Sequence, residues 1–142
     1  MKRRNLAFYS TGLLFASALP LSVWADVGTS SISGTWQAGD KSTELVVEQT
    51  GDNVHITEQS GGKTLFDYTC KSNGRDCNFK EEGKKATVSV YFNGPKLVEI
   101  RTFGNVVMKR RFGLKDNGKI LEVEQMPITP PGKTETFLYA KQ

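Results

Sequence analysis

Histidine and cysteine are almost missing from this sequence of 142 residues, which holds one of the first and two of the second. A single imidazole, His55, and two thiols, Cys70 and Cys77, cannot assemble a metal-binding triad or a His-activated nucleophile. Neither a Gly-Lys-Ser/Thr phosphate loop nor a Gly-x-Ser-x-Gly elbow occurs. The expected role is therefore non-enzymatic, with no cofactor and no metal. No stretch carries helical spacing of its apolar residues, and after the opening segment no apolar run approaches the roughly 20 residues that span a bilayer. A strong charge of one sign is missing too. Of 19 Lys plus Arg against 15 Asp plus Glu, Lys2, Arg3 and Arg4 stand in the opening segment, and without them the balance is nearly even. The basic run Lys109-Arg110-Arg111 with Lys115 has acids beside it that cancel its field, so nucleic acid is not an expected partner. What is present, 37% apolar and 24% charged residues, suits one packed domain.

Residues 1–25 read as a secretory signal peptide: basic Lys2-Arg3-Arg4, an apolar run from Leu6 to Leu21 cut by Pro20, and small Ala25 with Val23 two before it, ahead of Asp26. The run is diluted by Ser10, Thr11, Gly12 and Ser17 and is too short to remain as an anchor. No cysteine follows the cut to take a lipid. The expectation is export to a periplasmic or extracellular location, a mature single domain over 26–142, and no stable membrane anchor after cleavage.

An exported chain meets oxidant, so Cys70 and Cys77 are expected as a disulfide. Asn73-Gly74 is a strong two-residue hairpin turn. Counting outward from it pairs Ser72 with Arg75, Lys71 with Asp76, and Cys70 with Cys77.

From residue 32 onward, apolar residues alternate in short runs: 32–37, 43–49, 53–59, 63–70, 75–80, 85–92, 96–102, 106–114, 119–126 and 134–140. Gly, Asn or Pro turn signals separate them. Ten strands on tight turns make an antiparallel all-β meander, which closes into an up-and-down barrel or clam of about 8–10 strands because closure removes its edges. A two-sheet sandwich is the alternative, and only the stretch from Met126 to Lys133 is long enough for the crossing it needs.

A turn at Asn117-Gly118 pairs Leu114 with Leu121, Phe112 with Val123, Arg111 with Glu124 and Arg110 with Gln125. Three-residue loops at Asn93-Gly94-Pro95 and Phe103-Gly104-Asn105 pair Val90 with Val98, Val88 with Ile100, Ile100 with Met108, and Glu99 with Lys109. This register sends Val88, Val90, Val98, Ile100, Met108, Phe112, Leu121 and Val123 inward, and Glu99, Lys109, Arg111, Glu122 and Glu124 outward. It also turns Arg110 and Gln125 inward. A guanidinium facing an apolar interior must be paired or must meet water or a ligand. Either Arg110 holds an anionic head group, or it is structural, reaching solvent or pairing with a core acid such as Asp67. His55, between Val54 and Ile56, is expected outward as a surface imidazole. Glu122 and Glu124, spaced like a carboxylate pair, are expected in a solvated salt-bridge ladder with Arg111.

Gly34-Thr35-Trp36 resembles the first-strand motif of lipocalins and fatty-acid-binding proteins, in which the Trp packs across one barrel end. The strand Thr43–Thr57 with its Gly51-Asp52 turn, the turn Asn73-Gly74-Arg75-Asp76, the turn Asn117-Gly118-Lys119 and the ending Tyr139-Ala140-Lys141-Gln142 are similar to a group of small exported bacterial lipocalin-like proteins. The likeness spans nearly all of 32–142 and implies a barrel fold and export. The chain lacks the two helices that lid a fatty-acid-binding barrel and the Arg-x-Tyr of its last strand.

Two roles stay open. One is a binder of an apolar or amphiphilic anionic small molecule, with Arg110 and Gln125 at its head group and Val88, Val90, Ile100, Met108 and Phe112 along its tail. The other is a protein-interaction or envelope-accessory module using outward Tyr91 and Leu97, its protein partner unspecified. An open volume among the inward residues would favour the first.

Overall fold

The computed structural model describes residues 31–142, so the leader and its cut before Asp26 lie outside the described residues. Ten strands run in chain order: β1 Gly34–Ala38, β2 Thr43–Thr50, β3 Asn53–Ser60, β4 Lys63–Lys71, β5 Cys77–Glu81, β6 Lys84–Asn93, β7 Lys96–Phe103, β8 Val106–Lys115, β9 Ile120–Thr129 and β10 Glu135–Lys141. A 3-10 turn, Asp116–Gly118, joins β8 to β9. Each strand pairs antiparallel with its sequence neighbours, and β1 pairs with both β2 and β10, closing the barrel. The meander is the fold. The sandwich fails because the stretch after Met126 extends β9 to Thr129 and then turns back into a β9–β10 hairpin.

Alternation explains the interior. Side chains at i and i+2 share a face of a strand, and the inward set at the end bounded by the β2–β3, β6–β7 and β8–β9 turns is apolar and sealed. Val47, Val88, Leu97, Phe112 and Leu121 are each 0% exposed, and burying a side chain of this size stabilises by about 1.5 to 3 kcal/mol. Trp36 closes the packing beside them, its Nε1 donating to the Ile32 carbonyl at 3.0 Å.

The β8–β9 register matches the expectation at all four pairs, Leu114–Leu121, Phe112–Val123, Arg111–Glu124 and Arg110–Gln125. The β6–β7 and β7–β8 registers differ by one residue. Asn93 pairs with Lys96 and Phe103 with Val106, so the loops are the two-residue Gly94-Pro95 and Gly104-Asn105. Gly94 supplies the positive φ (+58°) that the first position of such a loop takes, and Pro95 the fixed negative φ of the second. A one-residue slip exchanges the two faces of β7. Val90 therefore pairs with Glu99, Val88 with Arg101, Glu99 with Arg110, and Ile100 with Ser89 and Lys109. Leu97, Glu99, Arg101 and Phe103 turn inward, while Val98 and Ile100 turn outward. For β8 the two slips cancel, which is why Arg110 faces the interior as expected and brings Glu99 in with it.

Cys70 and Cys77 form the expected disulfide, with Cα atoms 5.8 Å apart. The turn between them is not the expected hairpin, and β5 begins at Cys77 rather than at 75. Asn73 bridges to Tyr91, the Gly74 N–H donates to the Val90 carbonyl at 2.9 Å, and the Ser72 N–H donates to the Asp52 carbonyl at 2.8 Å. The loop's polar groups find partners on β6 and on the β2–β3 turn instead of across their own hairpin.

Candidate binding site

Strands β3, β7 and β8 bring three charges together inside the barrel. On β3, the alternation Val54, Ile56, Glu58 puts a carboxylate two residues beyond two buried side chains. On β7 it is Glu99, and on β8 Arg110. Arg110 Nε donates to Glu99 Oε1 at 2.8 Å, Nη2 to Glu99 Oε2 at 2.9 Å, and Nη1 to Glu58 Oε2 at 2.6 Å. Tyr68 on β4 donates its hydroxyl to Glu99. The Arg110 guanidinium lies 5.0 Å from the centroids of both Phe66 and Phe112, an aromatic bracket that favours a cation.

Glu99 is 0% and Arg110 2% exposed, so neither charge is screened by water. Burial pushes the Glu99 carboxyl up, and the Arg110 guanidinium, through charge and hydrogen bonds, brings it net below its ordinary value with help from Arg101 and Tyr68. Burial opposes the charge on Arg110, but Glu99 and Glu58 hold it well above the ordinary arginine value. The Tyr68 hydroxyl is pushed well up, first by burial and then by the Glu99 charge. The cluster is an ionised, hydrogen-bonded lock joining β3, β4, β7 and β8.

Next to it, Arg101 stacks 4.2 Å above the Phe66 ring, with its Nε 3.6 Å from Glu81 Oε2. Arg101 and Glu81 stand nearer the β5–β6 and β7–β8 turns than Glu99 does. Toward β10 the inner face becomes exposed. The inward layer Phe112, Val123, Phe137 runs across β8, β9 and β10 with exposures of 0%, 2% and 41%. In the next layer toward this end, Arg110 pairs with Gln125 and Gln125 with Glu135; Gln125 is half-buried and Glu135 exposed.

Of the residues expected to line a ligand, Val88, Val90 and Phe112 point inward and are sealed, while Met108 and Gln125 point inward and are half-buried. Ile100 lies on the outer face between Ser89 and Lys109, a correction that follows from the β7 register. Asp67 is not a core acid: it is on the outer face, 2.6 Å from His55 Nε2, and Glu48 lies 3.0 Å from His55 Nδ1. His55 is thus outward, as expected, but paired on both nitrogens. Leu97, expected outside, is 0% exposed, and Tyr91 is half-buried on the outer face. Glu124 pairs with Arg111 at 2.9 Å and Lys96 at 3.2 Å, and Glu122 with Lys115, the expected solvated ladder. Glu58, Glu99, Arg101 and Tyr68 were not singled out as site residues. The spacing Val54, Ile56, Glu58 was a readable signal for the first. Hollows of about 240 to 600 Å³ lie between loops and strands elsewhere, and none of the five is lined by Arg110, Glu99, Tyr68 or Phe137.

No protein-family model matches this sequence, and no curated protein sequence matches it. Solved structures do match in shape. A secretory abundant heat soluble protein from Ramazzottius varieornatus superposes with a TM-score of 0.64 at 15% identity, over 78% of this chain and 94% of that one. The fatty-acid-binding protein 1 of Echinococcus granulosus gives 0.61 at 12% identity, over 77% and 96%. A variant of the fluorescent protein UnaG gives 0.59 at 19% identity, over 78% and 95%. What the chain shares with them is the fold, a closed antiparallel up-and-down barrel. The link between β1 and β2 is only Gly39–Ser42, which leaves no room for lid helices there.

Proposed function

We propose that the protein is an exported, non-catalytic binder of a small amphiphilic molecule, taken up at the open side of the barrel beside β10. The observation that carries this reading is Phe137: an aromatic side chain on the inner face of the barrel, 41% exposed, in a layer otherwise sealed. Large apolar groups left accessible in a concave wall are the usual lining of a ligand site. Half-buried Met108 and exposed Val106 (44%) extend the apolar wall toward the rim. Arg110 forms its charged floor, with three of its N–H groups already committed to Glu99 and Glu58. The likeness to a fatty-acid-binding protein supports the same class of ligand. Export is supported by the Cys70–Cys77 disulfide, which persists in an oxidising compartment.

Native mass spectrometry of the protein purified from its own host tests both parts. The expected result is a chain beginning at Asp26, no alkylatable thiol, and a retained species of a few hundred daltons that Phe137→Asp releases. A retained protein instead would favour the interaction reading, for which Ile128 and Leu138, 48% and 54% exposed, are the contact candidates. A ligand-free protein that also fails to enhance a polarity-sensitive dye would end the binder reading.

A further inference from the structure

We infer that Arg101 and Glu81 form the head-group site of this barrel, and that it selects a neutral group able both to donate and to accept hydrogen bonds, such as a primary amide, over a carboxylate. The inference rests on the binder reading above and deepens it.

Arg101 Nη1 and Glu81 Oε2 are both buried, and neither has a hydrogen-bond partner among the described residues. Their side chains are only 13% and 21% exposed. Buried polar atoms without partners are rare in folded proteins because each forfeits about 1 to 3 kcal/mol of solvation. Here the two unfilled capacities are complementary, one a donor and one an acceptor, and they stand on adjacent side chains over the Phe66 ring. A ligand coming from the open end meets this pair before it reaches Arg110, whose guanidinium is already held by Glu99 and Glu58.

Charge decides the class. Three inward carboxylates, Glu58, Glu81 and Glu99, face three inward cations, Arg101, Arg110 and, at the rim, Lys84, which stands directly opposite Glu81 across the β5–β6 ladder with its Nζ 5.9 Å from the Phe103 ring. The charges balance, so a charged head group would add an uncompensated charge. A carboxylate head group would satisfy Arg101 but leave Glu81 unfilled and set a second carboxylate beside it. An ammonium would satisfy Glu81 and leave Arg101 unfilled. A carboxamide offers its C=O to Arg101 and its N–H to Glu81, filling both without adding charge.

The test is titration calorimetry of the mature protein with dodecanamide, dodecanoate and dodecylammonium, with Glu81→Gln alongside. The amide is expected to bind at least tenfold tighter than the carboxylate. Glu81→Gln replaces that carboxylate with an amide able to donate to a carboxylate ligand, and is expected to cut that preference by about tenfold, chiefly by improving dodecanoate. A merely structural Glu81 would change the melting temperature and leave the ratio where it was. Dodecanoate binding as tightly as the amide, or a ratio that Glu81→Gln does not move, overturns the inference and leaves the binder reading standing. Absence of binding by all three overturns both.

Discussion

Replacing Arg110 by Met keeps the length of the side chain and removes its charge, leaving fully buried Glu99 and half-buried Glu58 without their cation. Breaking a buried ion pair from one side costs about 3 to 5 kcal/mol, because the remaining charge stays desolvated. The described domain of 112 residues has an unfolding entropy of about 0.24 kcal/mol/K at roughly 2.1 cal/mol/K per residue, so the melting temperature is expected to fall by about 13 to 21 °C. The pH dependence should weaken. In the natural chain the Glu99 carboxyl is held below its ordinary 4.5, so its contribution is full above that pH and is lost as pH falls through the folded value. In Arg110→Met burial, which raises the Glu99 carboxyl, is opposed only by Arg101 and the Tyr68 hydrogen bond, so its folded value rises, and lowering the pH toward that value narrows the gap between variant and natural chain. Adding Glu99→Leu removes the stranded charge and should recover a large part of the loss, a coupling that a double-mutant cycle measures. Circular dichroism melts from pH 4 to 8 give all of these quantities. A fall of less than about 4 °C, equivalent to about 1 kcal/mol, with no pH dependence would mean that Glu99 is hydrated, and the lock would not exist.

Three further outcomes are expected. Cys70→Ser with Cys77→Ser should cost about 2 to 3 kcal/mol on the chain-entropy account of so small a loop, read as a shift of the urea midpoint. His55 is raised from its ordinary 6.5 first by its hydrogen bond to Glu48 and then by that to Asp67; its contribution to stability is therefore present below pH 6.5 and lost as pH rises through the raised value, and melts of His55→Gln should lack that step. Gly104→Ala meets no neighbouring atom but sits at φ +57°, so backbone strain alone should cost about 1 to 2 kcal/mol; a neutral result would mean that the β7–β8 loop has a different shape.

The strand ladder, the closed meander, the disulfide and the β8–β9 register were legible because each rests on local signals: period-two alternation, turn dipeptides and cysteine spacing. The face of β7 was not. Its sequence, Lys96-Leu-Val-Glu-Ile-Arg-Thr-Phe103, offers Val98 and Ile100 as an apolar face, and the opposite face carries Glu99 and Arg101. The usual rule sends the charges to water. Here they are turned inward because Arg110 and Glu81 supply partners, and partners contributed by other strands leave no mark in the alternation of β7 itself. The same blindness hid the fate of Arg110. The register showed that it faces the interior, but its satisfaction by Glu99 and Glu58 depends on residues 11 and 52 positions away.

The seam between β1 and β10 joins Trp36 to Lys141 across 105 residues, whereas every other ladder links neighbours in sequence. Hairpins form on a microsecond scale, but closing a loop of that length must wait for the chain entropy between its ends to be overcome. The order of assembly follows: hairpins first, the Arg110 lock when β3 meets β8, and the seam last. Until that final step β1 and β10 are open edges able to pair with another copy. The window for misassembly is therefore set by the rate of one ladder, and a chain truncated before Glu135 should remain in that window and aggregate.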